Sequence, residues 1–356
     1  MKTRLLAAFL LLSPALALAQ DQTNDPNLSR VDIKALVQEH DDAPSVPGTV
    51  APTVPQAEAP EPDCSFPDCF GQRSFNERLA GDDDAAIRDC DEGLRQDPTH
   101  AGILQVRAMA YTDQGDYTRA LADIENAIKF RPKDGLSYYV RGVIHFNMLE
   151  FDKVIDDETK AVALTPADSK GELAEAFTER AAAYAILKQD NQSMTDLNKS
   201  LGLAESPEAY GDRAILYARQ GEYQRSIGDA QKAVAINPGY SNGYAILGGV
   251  YFETDQYAQA LSFYQKNSDT LAKQVAARKN PVPYQQFYLS EPYTGIAACQ
   301  LRLGDKDLAA ASYKKAIALD PVWTGGFDAA VKKMPIFEFL PKGKAANQEL
   351  VKLVNP

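Results

Sequence analysis

The stretch Val106–Pro132, VRAMAYTDQGDYTRALADIENAIKFRP, sets small and apolar residues against polar ones at helical spacing on both sides of a Gly-Asp-Tyr turn. It predicts two short helices folded into a hairpin, too small to bury a core alone. The pattern returns along the chain. Pro98, Pro132 and Pro166 fall at a constant interval, and Pro238 and Pro321 end later copies. Ala108, Tyr111, Gly115, Tyr117, Ala120 and Ala127 have counterparts at Ala214, Tyr217, Gly221, Tyr223 and Ala233. A further copy carries Gly248, Tyr251, Tyr257, Ala260 and Tyr264, and the last carries Ala297, Gly304, Ala309, Tyr313 and Ala316. A hairpin that cannot bury its own apolar face needs neighbours of the same kind, so the pattern predicts a stacked array.

Small residues where two helices cross, aromatics between them and a terminal Pro every 34 residues resemble the tetratricopeptide repeat. The resemblance covers about 64–321, as units near 67–100, 101–134, 135–168, 174–206, 207–240, 241–274 and 290–321. It implies an all-α, right-handed superhelical solenoid of about seven hairpins. Three units depart from the pattern: Leu149 stands where the turn Gly belongs, the unit near 174 lacks its Pro, and the unit near 67 has a degraded first helix. Residues 322–356, with Trp323, Phe327, Ile336, Phe337, Leu350 and Leu353, are expected to form a C-terminal cap, since the last apolar face of an array must be covered. A self-association strand at PIFEF is the alternative reading of residues 335–339.

A second recurrence lies inside the repeat. The seventh position of the first helix holds Arg73, Arg107, Arg141, Arg180 and Arg213. The twenty-third position, on the second helix, holds Asp89, Asp123, Asp157, Asp196 and Asp229. Units six and seven lose both together, with Leu247 and Phe263, then Ile296 and Ser312. The joint loss predicts that each Arg pairs within its own unit, because pairing between units would strand a charge where the series ends.

Ahead of the array, Lys2 and Arg4 precede an apolar run and Ala17-Leu18-Ala19, the layout of a signal peptide over 1–19. The mature chain is therefore expected to be periplasmic or secreted. Residues 20–63 carry nine Asp/Glu against Arg30 and Lys34, and six prolines lie between Pro44 and Pro62. That composition predicts an acidic, disordered linker, with a transient helix near 31–37 and a docking helix there as the alternative. The whole chain has a net charge of −12. Without a basic stripe it is a poor match for nucleic acid, whose affinity comes from neutralised phosphates.

Candidate chemistry is sparse. Cys64, Cys69 and Cys90 are disulfide candidates in an oxidising compartment, with Cys90 bonded to Cys64 or Cys69 as the preferred arrangement and a Cys64–Cys69 loop as the alternative. Cys299 is expected to be a buried small hydrophobe. Gly239–Gly243 fits a Gly-x-Ser-x-Gly nucleophile motif at Ser241, but that motif needs a preceding strand, and here a helix precedes it. His40, His100 and His145 are the only histidines that could serve as bases. No metal site, cofactor or small-molecule substrate is expected. The carboxylates along the helices read as solvated faces with Lys partners.

In the family it resembles, the first helices of successive units line a concave groove. The Lys/Arg and Asn pattern that holds C-terminal carboxylates there is absent: position five reads Gln105, Tyr139, Thr178, Gly211, Ala245 and Thr294, and position nine reads Met109, Val143, Ala182, Ile215, Gly249 and Ala298. Tyr139, Val143, Phe146, Ile215 and Phe252 are the expected groove contacts, suited to an amphipathic helix or an extended apolar peptide. The function so implied is a non-catalytic protein-interaction scaffold of the bacterial cell envelope. The alternatives are an envelope enzyme with a site outside known motifs and a self-assembling structural protein.

Overall fold

A computed structural model describes residues 66–277, 285–326, 329 and 341–354. The expected signal peptide, the acidic linker, Phe327 and the PIFEF segment lie outside the described residues. Those described form fifteen α-helices, one 3-10 turn and no strand.

Seven hairpins follow one another: α1 (Pro67–Leu79) with α2 (Asp83–Gln96), α3 (Ala101–Asp113) with α4 (Tyr117–Phe130), α5 (Gly135–Asn147) with α6 (Phe151–Leu164), α7 (Lys170–Ile186) with α8 (Asp190–Leu203), α9 (Pro207–Arg219) with α10 (Tyr223–Ile236), α11 (Ser241–Glu253) with α12 (Tyr257–Ala277), and α13 (Gln285–Leu303) with α14 (Lys306–Leu319). Each helix packs on the next, and the odd-numbered helices also touch one another across the units. They stack into a solenoid whose apolar clusters each join neighbouring helices, several of them across unit boundaries.

Local chemistry sets the hairpin ends. The carboxylates of Asp82 and Asp116 accept hydrogen bonds from the backbone N–H of Ala85 and Arg119, and the Ser206 hydroxyl accepts one from Ala209 just ahead of Pro207. Each cap satisfies a helix N–H that has no partner within the helix. At the turn position all seven units adopt a left-handed backbone: Gly81, Gly115, Gly221 and Gly304, but also Leu149, Lys188 and Asp255 at φ 61°, 60° and 62°. The turn geometry is thus fixed by the two helices it joins, and three units hold it with a side chain that disfavours it.

Small residues meet where the helices cross. Ala120, Ala127, Ala161, Ala230, Ala233, Ala260, Ala309 and Ala316 are fully buried. Aromatic rings fill the remaining space, and Gly295 leaves room for Tyr264 to lie against α13. Cys90 and Cys299 are both buried free thiols, which burial pushes up to about 12. The preferred pairing through Cys90 is therefore corrected. Cys90 sits at the crossing of α2 with the α3–α4 hairpin and packs as a small apolar group, while Cys69 is disulfide-bonded. Cys64 lies outside the described residues.

The end of the array is covered as expected of residues 322–356. The 3-10 turn Pro321–Gly325 buries Trp323, whose ring stacks on Phe287 at 5.5 Å and whose Nε1 donates to Ser290 Oγ at 2.7 Å. Helix α15 (Pro341–Val354) buries Ala346 and Leu350 against the same cluster, with Leu353 partly buried beside them. Its first N–H groups are held from another unit: Lys342 and Gly343 N–H donate to Glu253 Oε1 at 2.7 and 3.1 Å. Near its other end, Arg302 makes a two-point contact with Glu349 at 2.8 and 2.7 Å.

Candidate functional site

The first helices of units four and five, α7 and α9, carry two kinds of charged residue on adjacent positions, Glu179 with Arg180 and Asp212 with Arg213. At position seven stand the arginines. Arg107 donates through Nε and Nη2 to Asp123 at 2.7 Å each, Arg141 to Asp157 at 2.9 and 2.6 Å, Arg180 to Asp196 at 2.7 and 3.0 Å, and Arg213 to Asp229 at 2.7 and 3.1 Å. Arg73 grips Asp89 in the same two-point manner. Every pair lies within one unit.

Two details exceed the expectation from sequence. The third guanidinium nitrogen reaches back to the preceding second helix in three units, from Arg107 to Asp91, Arg180 to Thr159 and Arg213 to Asn198, at 2.6–3.0 Å. The guanidinium also lies over an aromatic ring three residues earlier, at Phe70, Tyr138, Phe177 and Tyr210, 5.4–5.6 Å from the ring centre. Each clasp therefore closes its own hairpin, and three of them also tie it to the one before. The planar, forked guanidinium can do this where a lysine ammonium cannot.

The apolar residues expected to line the groove divide. Val143 and Ile215 are half-buried, with Val143 packed at the edge of a core cluster. Tyr139, Phe146 and Phe252 are only 5%, 5% and 2% exposed, and as groove contacts they are corrected. Tyr139 packs with Ala176 of the next first helix, and Phe146 sits edge-on to Phe151 in a cluster with Ala183. Phe252 sits edge-on to Tyr257 in the cluster that includes Phe287. Positions five and twelve face the small residues of the neighbouring first helix, so a ring there fills the seam between units rather than the groove.

What the groove holds instead is acid. Glu175 and Glu179 on α7 and Glu208 and Asp212 on α9 occupy positions two and six of successive units. Glu175, Glu208 and Asp212 are half-buried, and Glu179 lies deeper at 4% exposed. Below them Glu158 of α6 is fully buried, and neither of its carboxylate oxygens accepts a hydrogen bond from a protein group; Glu175 Oε2 is equally unpartnered. The Glu158 carboxylate fits only because Gly142 has no side chain, since a Cβ there would overlap Oε1.

Burial, followed by repulsion from one another, pushes the Glu175 and Glu179 carboxyls up to about 8 and Asp212 up to about 7. Burial, then the Glu179 and Asp157 charges, raise Glu158 well above the usual carboxylate range, and burial raises Glu208. The nearby cations are engaged elsewhere. Arg180 is held by Asp196, and Arg219 bonds Asp190 and the Ala185 carbonyl at 3.0 Å each. The reading of the carboxylates as solvated helix faces is corrected for these five.

The remaining candidates are scattered. Ser241 is the first residue of α11, 3% exposed, and follows helix α10 rather than a strand. His145 Nδ1 lies 2.6 Å from Glu150 Oε2, and His100 caps α3 through Nδ1 while its Nε2 meets Asp68 at 2.9 Å. Neither adjoins Ser241, and His40 lies outside the described residues.

Comparison with known proteins agrees with the geometry. Models of the tetratricopeptide repeat match residues 106–150 and 290–322. The chain is a tetratricopeptide repeat protein. It is 27% identical to human tetratricopeptide repeat protein 6 over 43% of this chain and 27% of that one. It is 34% identical to Hsp70-Hsp90 organizing protein 2 of Arabidopsis thaliana over 17% of this chain and 11% of that one. The chain thus spans about a quarter or less of the length of these curated relatives. A tetratricopeptide repeat protein from Parabacteroides merdae superposes with a TM-score of 0.51 at 19% identity, covering 82% of this chain and 99% of that one.

Proposed function

We propose that this chain is a non-catalytic scaffold of the bacterial cell envelope that holds a segment of a partner protein along its concave face. One observation carries the reading: first helices set side by side leave Val143 and Ile215 half-buried, and leave Glu175 Oε2 and both Glu158 oxygens without a hydrogen bond from a protein group. A scaffold needs such a surface, part apolar and part polar, to hold a peptide or helix without closing over it. The likeness to a protein named for organizing Hsp70 and Hsp90 supports a role in bringing proteins together. Placement in the envelope rests on the N-terminal sequence.

The test is cross-linking and affinity capture from envelope extract with wild type beside Val143→Asp/Ile215→Asp, both side chains being part-exposed. The expected result is loss of a partner in the variant with helicity unchanged by circular dichroism. Identical captures in both would overturn the groove reading.

A further inference from the structure

The groove acids carry the argument further, resting on the scaffold reading above. Glu175 and Glu179 stand one turn apart on α7, and Glu208 and Asp212 repeat that spacing on α9. The two rungs lie near enough to repel one another, and the fully buried, unpartnered Glu158, against Gly142 of α5, lies within reach of Glu175 and Glu179. Burying acid without a paired counter-charge is costly, and the cations whose charge reaches these acids, Arg180 toward Glu158 and Arg219 toward Asp212, each form their ion pair with another carboxylate, Asp196 and Asp190. Among the described residues no group of three His, Cys, Asp or Glu could hold a metal ion. A basic side chain of a partner would supply the charge these acids lack, and Val143 on α5 and Ile215 on α9 are half-buried apolar side chains on the helices to either side of α7.

We propose that the concave face across α5, α7 and α9 is a recognition site for a basic segment of a partner protein, which inserts Lys or Arg side chains between Glu175, Glu179, Glu208 and Asp212. Neighbouring first helices lie about 8–10 Å apart. An extended peptide advances about 10 Å in three residues. The segment that fits is thus extended, with two basic residues three positions apart, one for each rung. This reverses the charge logic of the clamp that grips C-terminal carboxylates: here the protein supplies acid and the ligand supplies the cation.

Binding must also release protons, since a cation favours the ionised acids. The groups that set this linkage are Glu158 and Asp157 from α6, Glu172, Glu175, Glu179 and Arg180 from α7, Glu208, Asp212 and Arg219 from α9, and Tyr139 and Tyr240 at the edges. Affinity should rise between about pH 6 and pH 8.5 as the acids ionise.

Isothermal titration of the full chain tests this with a Lys-x-x-Lys peptide, its Glu-x-x-Glu counterpart and free spermine, in buffers of different ionisation enthalpy. The expected result is binding of the basic peptide alone among the two peptides, with proton release. The triple variant Glu175→Gln/Glu179→Gln/Asp212→Asn should bind it at least about tenfold more weakly at low salt, and Glu208→Gln, at a half-buried site, should show a smaller loss. Equal binding by the triple variant, equal binding of the acidic peptide, or spermine binding without peptide binding would each overturn the proposal. If envelope partners are captured equally by wild type and triple variant, the basic-segment inference fails and the scaffold reading stands. If wild type captures no partner, the scaffold reading itself fails.

Discussion

Asp157 and Glu158 are consecutive residues of α6, 2% and 0% exposed, and they meet opposite fates. Asp157 receives two hydrogen bonds from Arg141 at 2.9 and 2.6 Å, while neither oxygen of Glu158 receives one from a protein group. The same contrast runs along the first helices, where Arg180 follows Glu179 and Arg213 follows Asp212. In units three to five the hairpin holds both an acid hydrogen-bonded by arginine and an acid that has no such partner. The first arrangement fixes the fold. The second is a cost to the fold that a ligand can remove. A residue type therefore says little about role here; the direction in which a helix turns it says nearly all.

Breaking the clasp gives the largest effect. Asp123→Ala leaves Arg107, one-fifth exposed, with only its contact to the half-exposed Asp91, and is expected to cost about 3 kcal/mol in urea unfolding. In a double-mutant cycle with Arg107→Ala, the coupling should exceed about 1 kcal/mol, and a value near zero would remove the clasp from the account.

The acidic side should respond to pH in the opposite sense from ordinary carboxylates. Glu179 is raised in the folded chain from its ordinary 4.5 to about 8. Between those values the folded state holds the proton more tightly than the unfolded chain, so stability is fully present below the lower value and falls as pH rises through the higher one. The groups around it are Glu158, Glu175, Glu208, Asp212 and Tyr139. Thermal melts from pH 5 to pH 8.5 should show a decline that Glu179→Gln flattens by about 2 kcal/mol, one raised carboxyl shared among coupled neighbours. A variant with an unchanged slope would count against a buried, unpaired acid.

Backbone strain at the turns is smaller. Lys188 is exposed and holds φ 60° where four other units place glycine. Lys188→Gly is expected to raise stability by up to about 1 kcal/mol, the left-handed penalty less the extra freedom of glycine when unfolded. Placing the same substitution at exposed Lys199, in the middle of α8, should instead cost about 1 kcal/mol.

How much of this the sequence reveals depends on whether a feature repeats. The hairpins, their turns and the five Arg–Asp pairs recur at fixed positions, and the joint disappearance of both partners in the last two units identifies the pairing. The groove does not repeat in the same way. Tyr139, Phe146 and Phe252 read as contacts for a partner because positions five and twelve lie on the concave side, yet each ring closes the seam against small residues of the next helix. The acids have a signal of their own: Glu175 with Glu179, and Glu208 with Asp212, are like-charge pairs four apart, with no basic residue three or four positions away on either side. Glu158 has Val154, Ile155, Ala161 and Val162 at those distances, which marks a carboxylate on an apolar face. The disulfide pattern was not legible, because the depth of Cys90 in its helix crossing depends on packing against α3 and α4 rather than on spacing.

The most direct measurement compares two charge-neutralising substitutions at adjacent residues, Asp157→Asn and Glu158→Gln, by urea unfolding at about pH 8. Asp157→Asn removes the counter-charge of Arg141 and should destabilise the chain by about 3 kcal/mol, whereas Glu158→Gln removes the cost of holding a proton on an unpartnered buried acid and should stabilise it by about 1–2 kcal/mol. Loss of stability in both would contradict the account, because it would mean that Glu158 is clasped within the fold like its neighbour.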